Sequence, residues 1–146
     1  MAEGFARAHG SDVLNAQSAG LAPALAVVPL THRVMLEKNI DLGDCYPKEM
    51  EHVEGDVDLI VNMSGHDLPE RAGAEVEVWD VRDPIGESDE VFRQVRDEIE
   101  QRVLQLIERQ RSRKPAASER LPVGASSGVA TSGVAKVDTR RRPTRQ

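Results

Sequence analysis

Aromatic residues are scarce in this 146-residue chain: Phe5, Tyr46, Trp79 and Phe92 make up 3% of it. So few rings leave little for base stacking, and a formal charge of −6 argues against a general nucleic-acid binder. Cysteine is scarcer still. A lone Cys45 excludes an internal disulfide framework and a multi-cysteine zinc site, and makes the reducing cytoplasm the expected compartment. The longest mostly apolar run, residues 21–30, is broken by Pro23 and Pro29 and is too short to cross a bilayer. The first ten residues have no basic start followed by an apolar stretch, so no secretory leader is expected.

What charge there is lies unevenly. Residues 115–146 hold six basic and two acidic side chains, a charge of +4, which leaves −10 on residues 1–114. The same segment is rich in Ala, Ser, Gly, Thr and Pro and has no aromatic residue or apolar period. It cannot bury enough surface to offset its ordering entropy, so residues 114–146 read as a disordered basic tail behind one domain at 1–113. Arg140, Arg141 and Arg142 read as its solvated end.

Within 1–113 the best-marked helix spans 88–113. Val91, Phe92, Val95, Ile99, Val103, Leu106 and Ile107 recur at three- and four-residue steps, Ser88 suits an N-cap, and Pro115 ends the run. Arg109, Arg111 and Arg113 suit the negative end of that helix and need no ligand. Buried strands are expected at 58–63 and 76–81, with a weaker one at 13–18. Helices are expected at 1–9, closed by Gly10 as a C-terminal cap, at 29–39 behind Pro29, and at 48–54. Alternating helices and strands indicate an α/β domain: a small parallel sheet with helices on both faces. The chain opens directly in a helix, although α/β units ordinarily begin with a strand.

The pieces, taken in order, resemble the low-molecular-weight protein tyrosine phosphatases and the arsenate reductases built on the same fold. Met1-Ala-Glu-Gly-Phe-Ala-Arg7 looks like the stretch directly after that family's phosphate-binding loop, and Ser18-Ala-Gly20 like the motif after its second strand. Residues 29–41, ending Asn39-Ile40-Asp41, are similar to its second helix and the following turn, and residues 58–63 to its third strand. Trp79-Asp-Val-Arg-Asp-Pro84 and the long helix resemble its Asp-Pro loop and last helix.

The resemblance implies a phosphotyrosine phosphatase I-like fold with flavodoxin-like layering. It also implies a cysteine thiolate in a C-x5-R loop attacking phosphorus or arsenic. Asp83 matches the general acid, and Ser18 matches a serine that supports the phosphate loop. The implied partner is a phosphorylated substrate or an oxyanion, arsenate or phosphate. No metal or organic cofactor is implied, and no nucleic acid or membrane partner is expected.

The nucleophile has no counterpart in these residues. Six positions after Cys45 stands Glu51 where the motif needs arginine, and the matching loop would fall just before Met1. The chain as written is therefore expected to be inactive, with its first strand missing and the inner edges of two strands unpaired. Met1 as an internal methionine mistaken for the start explains this with no new biology. The alternative is a non-catalytic remnant acting as a protein-interaction module.

Asp80 is the reserve acid, although a strand-end surface charge suits it better. Cys45 reads as a structural thiol, because residues 62–70 hold no further cysteine for a redox relay. Ile85 stands where tyrosine-specific members place an aromatic ring. His9, His32, His52 and His66 have no metal-ligand spacing, and His66 reads as a loop residue.

Overall fold

The computed structural model describes residues 1–70 and 73–113, and the backbone of 134–138. Helix α1 covers Ala2–Gly10, β1 Asn15–Ala19, α2 Pro29–Leu36, β2 Leu59–Asn62, β3 Glu75–Val78, α3 Asp89–Arg113 and β4 Val134–Asp138. The expected helix at 48–54 shrinks to one 3-10 turn, Met50–His52, for it lacks an apolar stripe to bury.

Strand order is β1-β4-β2-β3. β2 and β3 are parallel, and β4 is antiparallel to both β1 and β2. β1, β2 and β3 therefore point the same way, as expected of an α/β domain. β4 is where the structure departs from the sequence reading. A segment read as tail supplies an inner strand, and the two strand edges expected to stay open are both paired. Open inner edges demand hydrogen bonds, and that demand outweighs a weak local strand preference. The rest of 114–146 lies outside the described residues.

The α3 stripe forms the core as its spacing predicts. Phe92, Val95, Ile99, Val103, Leu106 and Ile107 are buried, together with Phe5 of α1, Ala16 of β1 and Leu59 and Val61 of β2. Each of the Val, Leu, Ile and Phe side chains contributes about 1.5–3 kcal/mol by leaving water. Among the described residues, cover on the opposite sheet face comes from loops, where a helix was expected. Ile60 is buried there beneath Val57, Leu68 and Ala74. The β2–β3 connection holds Gly65, Pro69 and Gly73, with Gly65 and Gly73 at positive φ, which suits turns and not a helix. Val76 and Val78 lie on that face and are 53% and 68% exposed, so β3 is an edge strand and not a buried one.

Gly10 also differs from its expected role. The chain is still right-handed at Ser11 (φ −61°), so no left-handed cap forms. Gly10 is instead a close approach: a Cβ there would stand 2.7 Å from Cγ1 of the fully buried Ile107. Gly10→Ala is expected to lower stability by about 1–3 kcal/mol despite alanine's better helix propensity, read as a lower urea midpoint.

Candidate active site

In an α/β sheet, ligands gather at the C-terminal ends of the parallel strands. Here that edge carries Ser18 and Ala19 at the end of β1, Asn62 at the end of β2, and the loop from Trp79 onward after β3.

Ser18 is tied to the start of α1. Its hydroxyl donates to a carboxylate oxygen of Glu3, which also forms an ion pair with Arg7 one turn later. Arg7 Nε in turn donates to the Ala16 carbonyl at 3.4 Å. The first turn of α1 is thereby bound to β1 through one buried carboxylate. Glu3 and Arg7 were legible only as a helix i,i+4 pair, and sequence reasoning assigned them no part in the site.

Asn62 is the other residue missed. Its side chain is buried; the carboxamide donates to the His66 carbonyl at 2.7 Å and accepts from Ser64 N–H at 2.9 Å and Ser64 Oγ at 2.7 Å. An Asn-x-Ser-Gly turn was the available signal. His66 itself is exposed and enters this turn through its backbone, as expected of a loop residue.

The loop carrying Asp83 is anchored at both ends. Arg102 of α3 donates to the Asp80 carbonyl at 3.0 Å and lies 6.0 Å from the Trp79 ring centroid. Arg82 pairs with Glu87 at 2.5 Å. Between them Pro84 accepts from Glu87 N–H at 3.0 Å, with Gly86 at φ 82°, the geometry of a type II turn. Asp83 is exposed, and its Oδ1 accepts the Ile85 N–H at 3.0 Å, an Asx turn that sets the carboxyl at the loop tip. Asp80 is a surface residue and Ile85 is 66% exposed. Ser18 and Asp83 thus occupy the same edge of the sheet, on different strands' ends, with no hydrogen bond between them.

Cys45 lies half-buried against the core and beside the Glu3–Arg7 pair. Burial pushes its thiol up, the Glu3 carboxylate adds to this, and Arg7 works against it. A raised thiol is a poor nucleophile near neutral pH. Iodoacetamide at pH 7.5 is expected to label Cys45 roughly tenfold more slowly than a free cysteine, followed by mass spectrometry. Among the described residues no three His, Cys, Asp or Glu side chains come together as a metal cage. No described helix is long and apolar enough to cross a membrane.

Comparison with known proteins finds relatives of this chain and of its fold. A family model for low molecular weight phosphotyrosine protein phosphatase matches residues 1–116. A glutaredoxin arsenate reductase of Synechocystis sp. is 35% identical over 112 residues, covering 73% of this chain and 85% of the relative. A solved arsenate reductase in the phosphate binding state is 31% identical with a TM-score of 0.66. Another, in the reduced state, is 34% identical with a TM-score of 0.63, and each covers 74% of this chain and 86% of its own.

Proposed function

Because the chain belongs to the low molecular weight phosphotyrosine protein phosphatase family, we propose that it supplies the scaffold and general acid of a cytoplasmic site for phosphate- or arsenate-class oxyanions. Ser18 acts as a positioning residue and Asp83 as the acid. The observation that carries this reading is the Ser18–Glu3 bond. It holds the end of β1 against the first turn of α1, where free N–H groups and the helix dipole favour an anion.

The chemistry requires a thiolate in a C-x5-R loop. Its sulfur forms a bond to phosphorus as the phosphorus–oxygen bond to the leaving group breaks, and Asp83 gives that oxygen its proton. Water then cleaves the cysteinyl phosphate. The 146 residues contain no C-x5-R motif, and Cys45, followed by Glu51 and held as a high-pKa thiol, does not replace it. The 146 residues alone are therefore assigned no turnover.

Two proteins test this: the chain as given, and the same chain extended at its front by a strand and a C-x5-R loop. Each is assayed with an aryl phosphate and with arsenate plus a dithiol reductant. Turnover by the extended protein alone supports the reading, and the substrate consumed separates phosphatase from reductase. Turnover by the unextended chain, or none by a folded extended one, overturns it. A second reading, a protein-interaction module, is favoured by one observation. The outer edge of β3 has no strand partner among the described residues, and exposes Val76 and Val78.

A further inference from the structure

Backbone hydrogen bonds fix what the outer edge of β3 offers. Glu75 N–H donates to the Asp58 carbonyl at 2.6 Å, and Trp79 N–H to that of Asn62 at 2.8 Å. Successive amides of a strand face opposite edges, so the odd-numbered residues of β3 serve β2. The N–H and C=O groups of Val76 and Val78 therefore point outward, where no strand among the described residues meets them.

The side chains divide by face. Val76 and Val78 are exposed on the face away from α3. Glu75 and Glu77 lie on the α3 face, paired with Arg113 and Arg109. Arg109 Nη2 reaches both carboxylate oxygens of Glu77, at 2.9 and 2.8 Å. An edge strand is ordinarily guarded by proline or by free charge. β3 has no proline, and its charges are neutralised.

Such an edge is complementary to itself. Across a two-fold axis, residue i faces j and j faces i. Antiparallel strands exchange bonds only where outward amides meet, so Val76 and Val78 are the available set. One register uses both: Val76 opposite Val78 of the second copy, and Val78 opposite Val76 of the second copy, centred on Glu77. Every outward backbone group of the two valines is then paired. Registers centred on Val76 or on Val78 leave half of those groups open within β3.

The charges suit the same register. Glu77 meets Glu77 of the second copy with about 4.5 Å between Cα atoms, where bare carboxylates would repel. Each brings its own Arg109, so the signs alternate in one cluster on the α3 face. On the other face the valines of both copies join into one row, still open to water above.

We propose that the outer edge of β3 is a homodimerisation edge, two copies joining antiparallel about Glu77 into one continuous sheet. It rests on the interaction-module reading, whose partner it names, and not on the chemistry assigned to the C-terminal ends of the strands.

Sedimentation of the full 146-residue chain tests it. So short an edge contact belongs with weak encounters, and dimer is expected at about 100 µM and monomer at about 1 µM. Amide exchange at Val76 and Val78 is expected to slow roughly tenfold over that range, with Glu75 and Glu77 unchanged. Val78→Pro removes an outward N–H and spares those serving β2, so it is expected to keep its circular dichroism and stay monomeric. In Cys45→Ser chains treated with oxidised glutathione, Glu77→Cys is expected to cross-link into a disulfide dimer. Val76→Cys is not, because its Cα atoms would stand more than about 7 Å apart. That pair reads the register whether or not Val78→Pro folds. A dimer that survives in folded Val78→Pro overturns the proposal, as does equal cross-linking by the two cysteine variants. A monomer at about 100 µM overturns it too; free exchange at Val76 and Val78 then leaves the edge open to a foreign strand, so the interaction-module reading survives.

Discussion

Asp83→Asn, made in the front-extended protein, is expected to lower kcat for an alkyl phosphate by roughly 10²–10⁴-fold. Asparagine fills the same volume and its carbonyl can still accept the Ile85 N–H, so the Asx turn survives and the fold is not the variable. What is lost is the transferable proton. The expected loss is therefore graded by leaving group: large for an alkoxide, which needs protonation, and small for nitrophenolate, which departs unaided. Equal losses on both substrates would show that the carboxylate acts on something other than the leaving oxygen. Asp80→Asn is the matched control. Its carbonyl is held by Arg102 and it precedes the turn, so its effect is expected to stay within about threefold.

The second large effect is structural and is expected at Arg96. This guanidinium sits on the buried side of α3, only 6% exposed, and makes three charge-assisted bonds. It donates to the Val34 carbonyl at 2.8 Å, to Glu37 Oε2 at 2.7 Å and to Asp97 Oδ1 at 2.8 Å. Val34 lies in the last turn of α2, where carbonyls lack a helical partner, so Arg96 caps α2 from another helix. Arg96→Ala removes the cap, leaves a cavity and strands a buried carbonyl. We expect a loss of about 3 kcal/mol by urea denaturation. Arg96→Lys keeps the charge but not the fork, and is expected to recover less than half of that.

The same cluster sets a pH response. Hydrogen bonds from Arg93, and then Arg96, hold the Glu37 carboxyl at about 2, well below its ordinary 4.5. A group with a depressed folded pKa stabilises the fold above its unfolded value and loses that contribution as pH falls towards the folded one. Stability is accordingly expected to decline between pH 4.5 and 2. Arg96→Ala should flatten that decline, since only Arg93 then remains on Glu37. An acid limb of the same slope in the variant would remove Glu37 from this role.

The residues that wrote their own structure into the sequence are those with period and punctuation. The α3 stripe, its Ser88 start and its Pro115 stop placed a 25-residue helix almost to the residue. Leu59–Asn62 was legible as a short branched run, and Pro29 marked the opening of α2. Two things were not legible. Val134–Asp138 carries too little pattern to be read as a strand, because its partners, Asn15–Ala19 and Leu59–Asn62, lie far away in sequence. Glu3 and Asn62 gave no sign of burial, because what draws them inward is a bond to a residue on another element or a turn not yet formed. Ser18 and Asp83 were found by resemblance. Their local sequences alone read as a strand serine and an ordinary turn aspartate.

Glu75 and Glu77 alternate with Val76 and Val78 along β3, yet both carboxylates lean back to Arg113 and Arg109 on the helix. The charges that ordinarily guard such a border against sticking are paired on the helix side of the sheet, and on its other side bare valine is left facing water. Concentrated samples of this protein should therefore gel or precipitate through that flank, and a single Val78→Lys change should keep them clear in the tube.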